Sequence, residues 1–269
     1  MGKLDNKTAV ITGAGDGIGR VIALTFAREG ASIVIADISE EMGSETERLI
    51  KEEGYEALFV KTDVSSEPDV INMVEKAKER FGHIDILVND AALLSLEKGL
   101  VTDTTLEVWN KVMSVNVTGA FLCCKYCIPE MLKVKAPAIV NIASRAAIFI
   151  ASKAAYGASK AALVSLTKTV ALQYANCIRS NVICAGSVNT PARQRGAAAG
   201  FNFKDSAAVQ MVQRLGEPED IANMALFLAG PDSSFITASV FSVDGGVVGG
   251  NLPGATREIM KKYQEQFED

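Results

Sequence analysis

The sequence predicts an α/β protein built on one doubly wound, seven-stranded parallel sheet in a single domain, and three features point that way. Short β-branched apolar runs alternate with longer segments of helical period along most of the chain, the pattern of a parallel sheet covered on both faces. The first apolar run ends in a glycine-rich turn, Thr12-Gly13-Ala14-Gly15-Asp16-Gly17-Ile18-Gly19, that passes directly into a helical segment. An acid, Asp37, closes the second run twenty residues beyond Gly17.

Residues 8–12 (TAVIT), 32–36 (SIVIA), 57–61 (ALFVK), 84–88 (IDILV), 138–142 (AIVNI), 180–184 (SNVIC) and 240–243 (VFSV) read as buried strands. Residues 17–29, 39–53, 68–81, 106–132, 156–174 and 218–228 place apolar side chains at helical spacing. Pro68 and Pro218 sit in first turns behind Glu67 and Glu217, which suits the missing N–H of proline and the positive helix end. Residues 190–215 lack strand character and are expected as a mobile lid over the substrate, with a structural helical insert as the alternative. The polar extension 250–269 reads as an oligomer contact or a frayed end. The single domain is taken as 1–269.

The 269 residues are 48% hydrophobic and 22% charged, the balance of a globular protein. A net charge of −5 argues against a nucleic-acid groove, which needs clustered Lys and Arg. The first six residues run straight into a strand without an export signal, and the apolar runs stop short of the ~20 residues a spanning helix needs. A cytoplasmic protein without membrane or nucleic-acid partners is expected. Cys124 and Cys127 form a C-x-x-C pair beside Cys123, but no second pair stands at zinc-ligand spacing, so reduced core thiols and no metal are expected. The lone histidine, His83, disfavours a Ser-His-Asp hydrolase.

Glycines at the turn let the backbone approach a pyrophosphate, whose charge is favoured by the N–H groups of a helix start. The register departs from G-x-G-x-x-G, because Ile18 takes the final position. Asp37 is placed to accept both hydroxyls of an adenosine ribose, or to cap the helix that begins near Ser39. Asp63 ends the third strand in the same way and would meet the adenine or cap its own loop. Tyr156 and Lys160 stand four residues apart on one helix face, where an ammonium would favour the phenolate over a phenol of pKa ~10.

Thr12-Gly13-x-x-x-Gly17-Ile18-Gly19, Asp37, Asp63-Val64, Asn116, Ser144, Tyr156-x-x-x-Lys160 and Asp244-Gly245-Gly246 together resemble the short-chain dehydrogenase/reductase family, in its order and spacing, over nearly the whole chain. That resemblance implies a Rossmann-like fold and NAD-dependent hydride transfer between a secondary alcohol and a ketone. Tyr156 would be the general acid/base, Lys160 would lower its pKa and hold the nicotinamide ribose, Ser144 would polarise the carbonyl, and Asn116 would anchor a relay water. Gly13, Gly17, Ile18 and Gly19 would take the pyrophosphate. Asp16, Asp37 and Ile38, with Asp63 and Val64, would surround the adenosine. Asn89, Ala91, Gly186, Val188 and Thr190 would line the nicotinamide half, with Tyr156 and Lys160. The family also implies a homotetramer, or a dimer, joined through the segments 106–132 and 156–174.

The chain departs from the family at Asn89-Asp90-Ala91-Ala92, where Asn-Asn-Ala-Gly is usual, and at Ala185-Gly186, where Pro-Gly is common. The loop 145–155 is also slightly short. Asp37 and Asp16 favour NAD over NADP, and Arg20 is expected on the solvent face of the first helix. The candidate pocket segments 93–100, 145–155 and 190–215 suit a bulky apolar alcohol with a polar end. The Ala171-Leu172-Gln173-Tyr174-Ala175 run and the tail are similar to bacterial hydroxysteroid and bile-acid dehydrogenases. Polyol or cyclic-alcohol oxidation, carrier-bound ketoacyl reduction and a non-enzymatic NAD sensor are the alternatives.

Overall fold

Alternation along each apolar run determines the architecture, because successive side chains of a strand point to opposite faces. In the computed structural model, which describes residues 2–94, 100–149, 153–198, 207 and 210–249, Ala9, Ile11, Ile33 and Ile35 face one layer and Val10, Val34 and Ala36 the other. Both faces are buried, so the runs are apolar throughout. The first face packs on Ile22 and Phe26 of α1 (Gly17–Arg28) and on Ile221, Ala225 and Leu228 of α8 (Pro218–Ala229). The second packs on Val70 and Met73 of α3 (Glu67–Phe81) and on Cys123, Cys127 and Met131 of α5 (Ala120–Met131). Each fully buried Ile or Leu in these layers contributes about 2 kcal/mol.

The strands are β1 (Thr8–Thr12), β2 (Ser32–Asp37), β3 (Ala57–Lys61), β4 (Ile86–Asn89), β5 (Ala138–Ser144), β6 (Arg179–Ala185) and β7 (Val240–Val243). They form one parallel sheet in the order β3-β2-β1-β4-β5-β6-β7. The order reverses between β1 and β4, so the crossovers leave this pair on opposite sides and open a crevice at their carboxyl ends. The remaining helices are α2 (Glu40–Glu52), α4 (Leu106–Met113), α6 (Ala154–Gln173) and α7 (Pro191–Ala198).

Four expectations change. The fourth strand begins at Ile86 rather than at 84, although Asp85 N already donates to Thr8 O at 2.9 Å. The segment 106–132 is not one regular helix, because a π-helical turn, Ser114–Gly119, widens it between α4 and α5. Its Leu106–Met131 run reaches a mean hydropathy of 1.3 and is long enough to cross a membrane by length and composition, contrary to the expected short apolar runs. Half of that apolar window is nevertheless buried inside the fold, as in a core helix. Within 190–215, α7 forms a short helix and Val188 pairs with Gly216, while 199–206, 208 and 209 lie outside the described residues. The extension 250–269 also lies outside them, as do 95–99 and 150–152 of the candidate pocket segments.

Cys123, Cys124 and Cys127 are buried free thiols in the core, and burial pushes the Cys124 thiol up to about 12. His83 lies at the amino end of the sheet, with Nε2 3.1 Å from Asp85 Oδ2. That is the opposite end from Ser144 and Tyr156.

Arg179, at the start of β6, closes the carboxyl end of α8. Its Nη1 donates to Leu228 O and Ser233 Oγ, both at 2.8 Å, and its Nη2 donates to Gly230 O at 3.1 Å. A cation there satisfies terminal carbonyls and the negative helix end together. Arg179→Ala is expected to cost about 2 kcal/mol, a fall in Tm of about 4–8 °C at this size. Thermal denaturation followed by circular dichroism measures it, and an unchanged Tm would show that the cap contributes little.

Candidate functional site

The carboxyl ends of β1, β2, β4 and β5 bring most of the predicted site residues to one edge of the sheet. Gly13 follows β1 with φ +68°, and a Cβ there would stand 2.9 Å from Ala91 Cα. A side chain would therefore force β1 and β4 apart. Thr12 Oγ1 fastens the same junction by accepting from Asp90 N and Ala91 N, both at 3.1 Å. A Cβ on Gly19 would meet Gly13 O at 2.3 Å, so the first turn of α1 folds tightly over the loop. Ile18 packs against the core from this turn. Asp16 caps α1 by accepting from Gly17 N at 2.8 Å.

Asp37 stands beside this turn. Its Oδ2 accepts from Gly15 N at 2.8 Å and its Oδ1 from Ser39 N at 2.9 Å. Ser39, not Asp37, caps α2, so the capping alternative for Asp37 falls away. Ile38 beside it is 64% exposed and presents an apolar surface there. Asp63 accepts from Ser65 N and Ser65 Oγ at 2.9 and 2.6 Å, which is the loop-capping alternative. Val64 is buried against Gly119 of the π-helical turn.

Two basic residues change the electrostatics read from the sequence. Arg20 does not project from the solvent face of α1; it folds back so that Nε donates to Thr46 Oγ1 at 2.9 Å and Nη2 to Gly15 O. The Gly15 peptide is thereby held by Arg20 on one side and Asp37 on the other. Arg195 of α7 donates through Nη2 to Asp16 Oδ2 at 2.8 Å, across 179 residues of chain. Asp16 is therefore an ion-paired acid.

Ser144, Tyr156, Lys160 and Asn116 converge beyond β4 and β5. Tyr156 is hydrogen-bonded to the Ser144 side chain. Burial pushes the Tyr156 phenol up, the Ser144 bond opposes this, and the Asp90 charge adds to it. Lys160 Nζ lies over the Tyr156 ring, 5.8 Å from the centroid, and donates to Ile142 O at 2.9 Å. The ammonium is 3% exposed, and burial lowers it to about 8. Asn116, in the π-helical turn, accepts from Leu93 N at 2.7 Å and donates from Nδ2 to Leu93 O and Ser159 Oγ at 3.2 and 3.0 Å. Its amide thus ties the turn to the loop after β4 and to α6.

Other predicted residues are structural in their observed contacts. Asn89 is buried and donates through Nδ2 to Asn141 Oδ1 at 2.8 Å, joining β4 to β5. Gly186 abuts β7, where a Cβ would approach Asp244 Cα to 2.5 Å. Val188 bridges to Gly216, and Thr190 Oγ1 accepts from Arg193 N at 3.3 Å in the first turn of α7. Thr190 also faces Gly17, since a Cβ there would lie 3.6 Å from Thr190 Cβ. Ala92 is exposed.

Sequence reasoning marked Asp90 only as a departure, yet its carboxyl accepts from Gly19 N and faces both Lys160 of α6 and Asp37 of β2. Burial raises it from 3.8 to about 7, against the pull of Lys160 and the Gly19 bond. An acid raised in the folded state stabilises fully below its unfolded value and loses that contribution as pH rises through the folded one. Ionised Asp90 therefore opposes folding above about pH 7. Asp90→Asn is expected to raise Tm more at pH 8 than at pH 5, as scanning fluorimetry would read. A constant difference between the two would show that Asp90 stays ionised throughout.

A family model described as enoyl-(acyl carrier protein) reductase matches residues 13–248. An uncharacterized oxidoreductase of Thermotoga maritima is 40% identical over 91% of this chain and 96% of its own. The 2,5-dichloro-2,5-cyclohexadiene-1,4-diol dehydrogenase LinX of Sphingobium indicum is 37% identical over 91% of this chain and 97% of its own. The ligand-free aldohexose dehydrogenase of Thermoplasma acidophilum superimposes with a TM-score of 0.81 at 31% identity, covering 91% of this chain and 94% of that one. With this sheet and this arrangement at its carboxyl edge, the chain belongs to the short-chain dehydrogenase/reductase family of Rossmann-like oxidoreductases.

Proposed function

We propose that the protein is an NAD-dependent dehydrogenase that interconverts a secondary alcohol and a ketone, with Tyr156 as the acid/base. The observation that carries this reading is the Ser144–Tyr156 hydrogen bond beside the buried Lys160 ammonium. An alcohol substrate is supported by the diol and aldohexose dehydrogenases among its relatives. The residues fit a dinucleotide. The glycines from Gly13 to Gly19 carry no Cβ that would hold a dinucleotide off their backbone, Asp37 keeps lone pairs for ribose hydroxyls, and Lys160 has donors beyond the one spent on Ile142.

When bound, the nicotinamide would supply or accept the hydride. The chain's own residues handle the proton and the geometry. Ser144 Oγ would hydrogen-bond the substrate oxygen beside Tyr156, holding it for proton transfer. In oxidation the Tyr156 oxygen would take the hydroxyl proton, and in reduction it would return it. Lys160 would hold the nicotinamide ribose and offset negative charge developing on Tyr156, while Asn116 positions the π-helical turn behind them. The segment 190–215 would cover the substrate. A bulky apolar alcohol suits the exposed Leu94, Ile148, Phe149 and Met211. Exposed Leu106, Phe121, Leu132 and Leu172 around α4, α5 and α6 suit burial in a homotetramer, and a cytoplasmic location suits a nicotinamide enzyme.

Tyr156→Phe is expected to lower kcat by at least ~10²-fold while leaving NADH affinity nearly unchanged. Because burial raises the phenol, wild-type alcohol oxidation should gain in kcat/KM as pH rises from 6 to 9. Absorbance at 340 nm follows both, and near-normal turnover of the Phe variant would refute the assignment.

A 2′-phosphate would lose the Asp37 hydrogen bond and face a like charge, although Arg20 beside Gly15 offsets part of the repulsion. A residual penalty of about 1.4 kcal/mol gives NAD at least about tenfold over NADP in kcat/KM. Asp37→Ala should narrow that ratio, and equal efficiency in the wild type would remove Asp37 from the selectivity.

A further inference from the structure

Three acids of this chain close on alternate glycines of the turn that leads into α1. Asp37 Oδ2 accepts from Gly15 N and Asp16 Oδ1 from Gly17 N, both at 2.8 Å. Asp90 reaches the third position, since its Oδ2 lies 2.9 Å from where a Cβ on Gly19 would stand. They arrive from three places: Asp37 ends β2, Asp16 caps α1 and Asp90 directly follows β4. Thr12 Oγ1 accepts from Asp90 N at 3.1 Å, which fixes the backbone of Asp90 at the end of β1 and so holds its carboxyl against the turn.

The three acids are not equivalent. Asp16 is paired with Arg195, and the Gly15 peptide beside Asp37 is also held by Arg20. Among the described residues Asp90 makes no ion pair. The start of a helix attracts a phosphate through its free N–H groups and its positive end, and a carboxylate packed there answers the same attraction. A diphosphate brought to the start of α1 would add two fixed negative charges beside that carboxylate. Like charges repel more strongly in a partly dry crevice than in water.

We propose that Asp90 sets the affinity of the dinucleotide site: its carboxylate opposes the cofactor's diphosphate at the start of α1, so the cofactor binds best when this carboxyl is neutral. This rests on the reading of the glycine-rich turn as a dinucleotide site. Burial raises the Asp90 carboxyl to about 7. Below that value the repulsion is absent, and as pH rises through it the carboxylate forms and affinity falls. The other charges that act on Asp90 are Lys160 of α6 and Asp37 of β2, and Asp90 acts in turn on Tyr156. Lys160, lowered to about 8, also loses charge as pH rises, so the substitution rather than the wild-type profile isolates Asp90. Asp90 raises Lys160, so removing its charge lowers the lysine further. That change would weaken anion binding, and a gain in affinity therefore cannot come from Lys160.

Asp90→Asn keeps an oxygen acceptor of the same shape and removes only the charge. The test titrates ADP-ribose, which carries the diphosphate without the nicotinamide, into the wild type and this variant by calorimetry between pH 5.5 and pH 8. Adenosine, which carries no phosphate, is titrated in parallel. The two proteins should bind ADP-ribose equally at pH 5.5, and the variant should bind about tenfold more tightly at pH 8, where only about one wild-type carboxyl in ten is neutral. Adenosine affinity should be the same in both proteins throughout. A ratio that stays constant with pH overturns the proposal, because Asp90 would then serve only to tie β4 to α1. An equal change in adenosine affinity overturns it too, since the substitution would have altered the shape of the site. Should the variant fail to fold, wild-type affinity for ADP-ribose that does not fall between pH 5.5 and pH 8 overturns the proposal by itself. If ADP-ribose binds to neither protein at any pH, the dinucleotide reading falls and this proposal with it, whereas binding without the pH-dependent ratio removes the proposal alone.

Discussion

The close approach of β1 and β4 at Gly13 is the constraint on which the site depends. A side chain there would meet the Ala91 backbone, so the two strands can lie side by side at the point where strand order reverses only if that position is glycine. The same junction sets Thr12 Oγ1 against the peptides of Asp90 and Ala91, and Gly19 against Gly13 O. Once it is fixed, the start of α1 and the loop after β4 become two walls of one crevice. The register of β4 with β5 then carries the relation onward, since Asn89 pairs with Asn141 and Ser144 lies three residues further along β5. A glycine pattern that reads as a ligand motif is therefore also a packing requirement of the sheet.

Burial governs the chemistry inside that crevice more than any single charge pair does. It pushes the Tyr156 phenol and the Asp90 carboxyl up and the Lys160 ammonium down, in each case disfavouring the charged form. The sequence suggests a simpler picture, in which a lysine one turn along the helix stabilises a phenolate. Helical spacing brings the two side chains to one face, but it does not determine that the ammonium lies over the ring and donates to Ile142 O. Asp90 couples the three groups because it faces Lys160 and Tyr156 while bonded to Gly19 at the start of α1.

The strands and most helices were legible because two-residue and 3.6-residue periods are local properties of the chain. Tyr156, Lys160 and Ser144 stood out only through the resemblance of the whole motif set to a family pattern, since a Tyr and a Lys four residues apart are common by chance. What escaped the sequence depends on pairings between distant segments. Arg195 reaches Asp16 across 179 residues of chain, and Arg20 turns back to a loop five residues earlier because Thr46 of α2 offers a second acceptor. The π-helical turn at Ser114–Gly119 left no mark on the apolar period, although Asn116 within it bonds Leu93 and Ser159 on two other elements. Asp63 bonds Ser65, two residues on, a local pairing that the strand pattern does not announce.

Net charge shows the same limit on a larger scale. The chain carries −5 overall, which argues against a surface groove for a polyanion. A field at a site, however, is set by charges within about one Debye length, roughly 8 Å at physiological salt. Around the crevice the two signs separate along its length. Asp37 and the paired Asp16 stand at the α1 end, whereas Arg145, Lys153 and Arg193 come from the elements around Ser144 and Tyr156. Lys160 lies between them, buried. The sum of the charges therefore conceals how acids and bases are arranged along one sheet edge, because that arrangement depends on which elements the fold brings together there.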